Sequence, residues 1–189
     1  LVSGVAFFPD GRRLATGAGD NSVRIWDMTA GTQLAVLTPT GPVGTLAVSP
    51  DGKWLATGSM GFEITLWNAA TGESVGTLAG HAAEISALRF SPSGDRLASG
   101  DSKGKVRGWQ LDGRGRGRPG SLEGVFEREL VGHNGSITAM RFTPDGARAY
   151  VTACNTVSII DTGSEREIGT IPLQQEGLYI AIAEVGPRI

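Results

Sequence analysis

The stretch SPDGKWLATGSMGFEITLWN, residues 49–68, sets a tight turn ahead of two short β-rich runs, Trp54 to Thr57 and Ile64 to Trp67. Pro and Gly inside four residues mark the turn, and branched and aromatic residues favour strands on its far side. The turn recurs as FPDG at Phe8 to Gly11, SPSG at Ser91 to Gly94 and TPDG at Thr143 to Gly146. Its prolines, Pro9, Pro50, Pro92 and Pro144, are 41, 42 and 52 residues apart, so the last interval carries an insertion of about ten.

What flanks the turn repeats as well. Before it, the runs opening at Val2, Val43, Ile85 and Ile137 align without gaps and end at Phe7, Val48, Phe90 and Phe142. After it come Leu14-Ala-Thr16-Gly, Leu55-Ala-Thr57-Gly, Leu97-Ala-Ser99-Gly and, more loosely, Tyr150-Val-Thr152-Ala. A third run ends in Trp26-Asp, Trp67-Asn, Trp109-Gln and Ile160-Asp, and a fourth, shorter one closes each unit. No apolar period of 3.6 residues persists, so the sequence predicts no helix. Four strands per unit of about 41 residues is the period of a propeller blade. Predicted blades span about 2–38, 43–79, 84–131 (insertion 111–122) and 136–171, and a fifth begins at about 177–189.

The bulk composition sets limits. A chain of 189 residues with 40% hydrophobic and 19% charged residues has enough apolar material for a sizeable core. A formal charge of −2 makes general attraction to nucleic acid or to an anionic membrane unexpected. No apolar run approaches the ~20 residues that cross a bilayer as a helix. Cys154 is the only cysteine, which leaves no intramolecular disulfide or thiolate cluster, and it reads as a small buried hydrophobe within a strand.

The order Gly-His, Ser-Pro-Asp-Gly, Leu-Ala-Ser/Thr-Gly, Trp-Asp resembles the WD-repeat family, and the resemblance runs along nearly the whole chain. It implies an all-β propeller of four-stranded antiparallel blades, part of a six- to eight-bladed ring. A first residue that is Leu rather than Met agrees with a chain that continues upstream. In this family a blade can hold a buried chain of His, Asp, Ser/Thr and Trp, tolerable because each member is paired. The resemblance carries the hydroxyl to Thr16, Thr57, Ser99 and Thr152, the indole to Trp26, Trp67 and Trp109, and the imidazole to His81 and His133. The Asp position reads Asp20, Gly61 and Lys103, and the fourth blade is too short to have one. No blade is therefore expected to hold both His and Asp, and each is expected to be only marginally stable.

Sites follow from the same frame. The residues just before the inner strands, Pro42, Glu84 and Ser136, lie at the rim where the family binds partners, and they differ between blades. The insertion carries Arg114, Arg116 and Arg118 between glycines, a cationic loop that reads first as a solvated surface segment; binding of nucleic-acid phosphates or an acidic partner is the weaker alternative, since three Arg are few and no aromatics interleave to stack bases. Gly115, Gly117 and Gly120 match a dinucleotide fingerprint only by spacing, since Pro119 falls inside the motif and no helix follows. Two histidines without an acidic cluster make no zinc site. No catalytic motif stands out, and Val2, Val43, Ile85 and Ile137, which open the inner strands, are apolar where a propeller enzyme would converge polar groups. The expectation is a non-catalytic, cytoplasmic scaffold without cofactor. It would bind a protein or peptide and adjoin further blades, alone or as the docking region of a larger signalling protein or enzyme.

Overall fold

The computed structural model describes residues 1–111, the strand backbone at 125–130, residue 133 and residues 135–173. Most of the insertion and the start of an expected fifth blade lie outside the described residues. The first sheet holds β1 (Val2–Phe7), β2 (Arg13–Ala18), β3 (Ser22–Asp27) and β4 (Thr32–Leu37). The second holds β5 (Val43–Val48), β6 (Trp54–Ser59), β7 (Ile64–Asn68) and β8 (Ser74–Leu78). The third holds β9 (Ile85–Phe90), β10 (Arg96–Asp101), β11 (Val106–Gln110) and β12 (Val125–Leu130), and the fourth β13 (Ile137–Phe142), β14 (Arg148–Ala153), β15 (Thr156–Asp161) and β16 (Arg166–Pro172). Each is antiparallel with its strands in chain order, and the described residues contain no helix. This is the all-β, four-blade architecture expected from the repeat.

The turn residues act locally. Gly52 and Gly94 sit at φ of +70° and +77°, a left-handed conformation that a Cβ disfavours. The Asp of the turn binds the amides after it: Asp10 Oδ1 accepts from Arg12 N and Arg13 N, Asp51 from Lys53 N and Asp145 from Ala147 N. At the outer corner, between third and fourth strands, Asp27 accepts from Thr29 N and Ala30 N, and Asn68 from Ala70 N and Thr71 N. Asp161 caps Ser164 N in the same way. Gln110 occupies that position in the third blade, where the insertion starts.

The blades stack through their faces. Leu46 and Leu55 of the second blade pack on Ala15, Val23 and Ile25 of the first. Leu88, Phe90 and Trp109 of the third pack on Ala56, Ile64 and Leu66 of the second. Met140 and Val151 of the fourth pack on Val106 of the third. Burying one such side chain contributes about 1.5–3 kcal/mol. The glycine that ends each Leu-Ala-Ser/Thr-Gly run is the seat for the next blade. A Cβ on Gly17 would lie 2.6 Å from Val43 Cγ1, on Gly58 2.6 Å from Ile85 Cγ2, and on Gly100 2.5 Å from Ile137 Cγ2. Val43, Ile85 and Ile137 are thus fully buried between blades and do not line the channel, contrary to the sequence expectation.

A further expectation is corrected. Cys154 is exposed and holds a left-handed φ of +44° in the turn between β14 and β15, because strand pairing ends at Ala153 and Thr156. The core between the third and fourth blades is also thinner than the repeat suggests. Gly108 stands where Ile25 and Leu66 fill the first and second blades, and among the described residues a Cβ there would meet nothing within 4 Å.

These opposite surroundings separate two glycine substitutions. Gly100→Ala should lower the urea unfolding free energy by about 1–3 kcal/mol through overpacking against Ile137. Gly108→Ala should leave it unchanged or raise it by about 0.5–1 kcal/mol. Equal effects of the two would contradict the seat.

Candidate functional site: a buried polar chain and the rim beside it

In the third blade, β10 and β11 place Ser99 and Trp109 side by side across the sheet, and the segment before β9 brings His81 against them. Trp109 Nε1 donates to Ser99 Oγ at 2.7 Å, Ser99 Oγ lies 2.6 Å from His81 Nε2, and His81 Nδ1 lies 2.8 Å from Asp101 Oδ2. For a neutral imidazole the donors run one way: indole to hydroxyl, hydroxyl to Nε2, and Nδ1–H to the carboxylate. Asp101 is fully buried, and its other oxygen accepts from the amides of Lys103 and Lys105. Burial pushes the Asp101 carboxyl up, but the hydrogen bonds from His81 and from those two amides outweigh it and hold it below the ordinary value of 3.8.

This corrects the expectation that no blade holds both His and Asp. The family's Asp position, four residues past the Ser, is Lys103; Asp101 reaches His81 from two residues past it. The signal in the sequence was the charge itself. At the same place the first and second blades carry Ala18 and Ser59, so Asp101 is the acid that the pairing of β10 buries.

The other blades hold parts of the chain. Trp26 Nε1 donates to Thr16 Oγ1 and Trp67 Nε1 to Thr57 Oγ1, each at 2.9 Å. Asp20 turns to its own loop, bound by Ser22 Oγ at 2.5 Å and Arg24 at 3.2 Å. In the fourth blade Thr152 Oγ1 meets Thr138 Oγ1 at 2.9 Å, Ile160 replaces the indole, and His133 Nδ1 is buried with no hydrogen-bond partner among the described residues. Burial pushes the His133 imidazole below 6.5, with Glu167 pulling the other way.

The inner strands line the channel. Each carries a bulge at its second residue, Ser3, Gly44, Ser86 and Thr138. Ser3 Oγ donates to Val43 O, and Ser86 Oγ to Ile137 O at 2.6 Å, so a hydroxyl ties β1 and β9 each to the next blade. Gly44 instead lets Ile85 O approach to 3.0 Å of where a Cβ would stand. These hydroxyls fall inside strands with no motif to mark them, and only the register shift exposes them.

The rim residues sit directly above. Pro42 O accepts from Met60 N at 3.0 Å and Glu84 O from Ser102 N at 2.9 Å; Leu1 O makes the same bond with Gly19 N. Pro42, Glu84 and Ser136 are all partly exposed. Arg114, Arg116 and Arg118 lie outside the described residues. Among the described residues no helix is long and apolar enough to cross a membrane.

Four-stranded antiparallel blades with a Trp–Ser/Thr bond in three of them define a β-propeller of the tryptophan-repeat kind. The family model of the IFT140 first beta-propeller matches residues 32–125, and that of the WD domain, G-beta repeat, matches 2–27 and 124–161. The chain belongs to the WD-repeat β-propeller family. It is 30% identical over 141 residues to a chromatin assembly factor 1 subunit FAS2 homolog of Oryza sativa subsp. japonica, over 75% of this chain and 21% of that one. It is 30% identical to cell division cycle 20.1, cofactor of APC complex, of Arabidopsis thaliana (80% and 32%). It is 34% identical to a guanine nucleotide-binding protein subunit beta of the same plant (61% and 33%). The chain therefore spans a fifth to a third of these relatives.

Removing one partner strands the rest of the buried chain. Asp101→Ala should cost about 3 kcal/mol in urea unfolding. Because the folded Asp101 titrates below 3.8, its contribution is complete above that pH and disappears as pH falls through the lower folded value. Asp101→Asn should accordingly flatten the acid limb of the stability profile, and an unchanged limb would contradict the assignment.

Proposed function

We propose that the chain is a non-catalytic protein-interaction scaffold that presents one rim of its blades to a protein or peptide partner. The supporting observation is a constant frame with variable contents. The same backbone bond fixes Leu1, Pro42 and Glu84 at the rim, while their side chains differ in shape and run from apolar to acidic. Such a surface is rigid and asymmetric, which lets it select one partner without a large ordering cost. The relatives' names agree in kind: an assembly-factor subunit, a complex cofactor and a nucleotide-binding-protein subunit.

A second reading, in which these blades are the docking part of a larger multidomain protein, is favoured by the small share of each relative that the chain spans. One face supports further blades. Leu88 and Phe90, which face the preceding blade, are 2% and 8% exposed, whereas Val5 and Phe7 in the same register are 58% and 62% exposed. An apolar sheet face of this kind calls for a cover.

The test is affinity capture with the full-length protein carrying Glu84→Lys. Loss of a partner at an unchanged melting midpoint is expected. An identical bound set for this variant and for Ser136→Arg would sink the scaffold reading. For the covered face, Phe7→Ser should lower the full-length melting midpoint, and an unchanged midpoint would show that no blade packs there.

A further inference from the structure

Arg89 and Arg141 occupy the same place, the fifth residue, in the neighbouring inner strands β9 and β13, where β1 and β5 carry Ala6 and Ala47. Arg89 is half-buried, and its Nε donates to Met140 O at 3.2 Å, one residue from Arg141. That bond uses one of its five N–H groups and orients the guanidinium without neutralising it. Among the described residues neither Arg has a carboxylate within ion-pair distance. Both its own burial and the charge of Arg141 push the Arg89 pKa down, so a half-buried cation has a second, exposed cation in the neighbouring strand. Such an arrangement is unfavourable until an anion joins it.

Arg89 also lines a cavity of about 250 Å³ between the inner strands, with Ser3, Thr45, Ser86 and Thr138 among its other walls. The cavity is polar, and Arg89 forms part of its wall, with Arg141 one residue beyond Met140, which also lines it. Support of the Met140 carbonyl explains the Arg89 Nε, but it gives no reason for a second cation at the same register in the next blade. Guanidinium forks match oxyanions two oxygens at a time, and two of them match a dianion better than a single carboxylate.

We propose that Arg89 and Arg141 form an oxyanion site at the inner strands of the third and fourth blades, and that its ligand is a phosphate group. The site is separate from the rim surface and does not depend on the scaffold reading. The phosphate could reach it on a phosphorylated side chain or as a free phosphate; the chemistry at the guanidinia is the same.

The experiment is calorimetric titration of the full-length protein with inorganic phosphate, with ionic strength held constant by potassium chloride. Saturable binding is expected, weakened about tenfold or more in Arg89→Ala and in Arg141→Ala. Arg89→Lys should weaken it too, since it keeps the charge and loses the fork. Arg141 is exposed, so its variant tests the site even where Arg89→Ala fails to fold. Tighter binding of N- and C-blocked phosphoserine than of inorganic phosphate assigns the site to a modified side chain, and the reverse order assigns it to free phosphate. No saturation in the wild type, or an Arg141→Ala affinity equal to wild type, overturns the proposal.

Discussion

The contact on which the architecture depends is a branched side chain resting on a bare backbone. Val43, Ile85 and Ile137 each open an inner strand and press against Gly17, Gly58 and Gly100 of the blade before, so closely that a methyl group would not fit. The bulge follows at the next residue, and the hydroxyls of Ser3 and Ser86 fasten the seam by taking the carbonyls of Val43 and Ile137. At the first and third seams one blade therefore fixes the position of the next through an apolar and a polar contact, and at the second seam through the apolar contact and the close approach at Gly44. The inner strands are crowded, and the rim segments that lead into them inherit a defined place.

Internal polarity is distributed unevenly over this regular frame. Among the described residues the Trp–hydroxyl bond occurs in three blades, but the full chain to a carboxylate in one. In a low-dielectric interior a complete chain fixes one arrangement, whereas a partial one leaves a polar atom unmatched. His81 and His133 illustrate the difference. The first has both ring nitrogens paired, and the second keeps a buried nitrogen with no partner among the described residues.

The fold was legible because it is written four times. Turn, small-residue run and Trp recur at spacings that survive substitution, and the turns have a local cause in a left-handed glycine and a capping carboxylate. The site was legible only where it followed the repeat. Asp101 was missed because it reaches His81 from two residues past Ser99, a matter of strand register and not of motif. Cys154 was misplaced because β14 ends one residue before it. The apolar residues opening the inner strands were assigned to the channel, yet the bulge turns them between blades and gives the channel Ser86 and Thr138 instead. Alternation along a strand predicts two faces; a bulge exchanges them without any mark in composition.

The outer corners of the blades differ in one residue type, and this bears on where the fold tolerates growth. Asp27, Asn68 and Asp161 are short enough to reach back to the amides of their own turns, which holds those corners tight. Gln110 is longer by a methylene, and its corner is the one from which extra chain emerges. Lengthening a loop from a few residues to some fourteen costs only about 1 kcal/mol in closure entropy. With β11 and β12 still paired on either side, that corner is a permissive junction. It is the natural port for a graft, a tag or an evolving appendage, whereas a graft at any capped corner would first have to undo the cap.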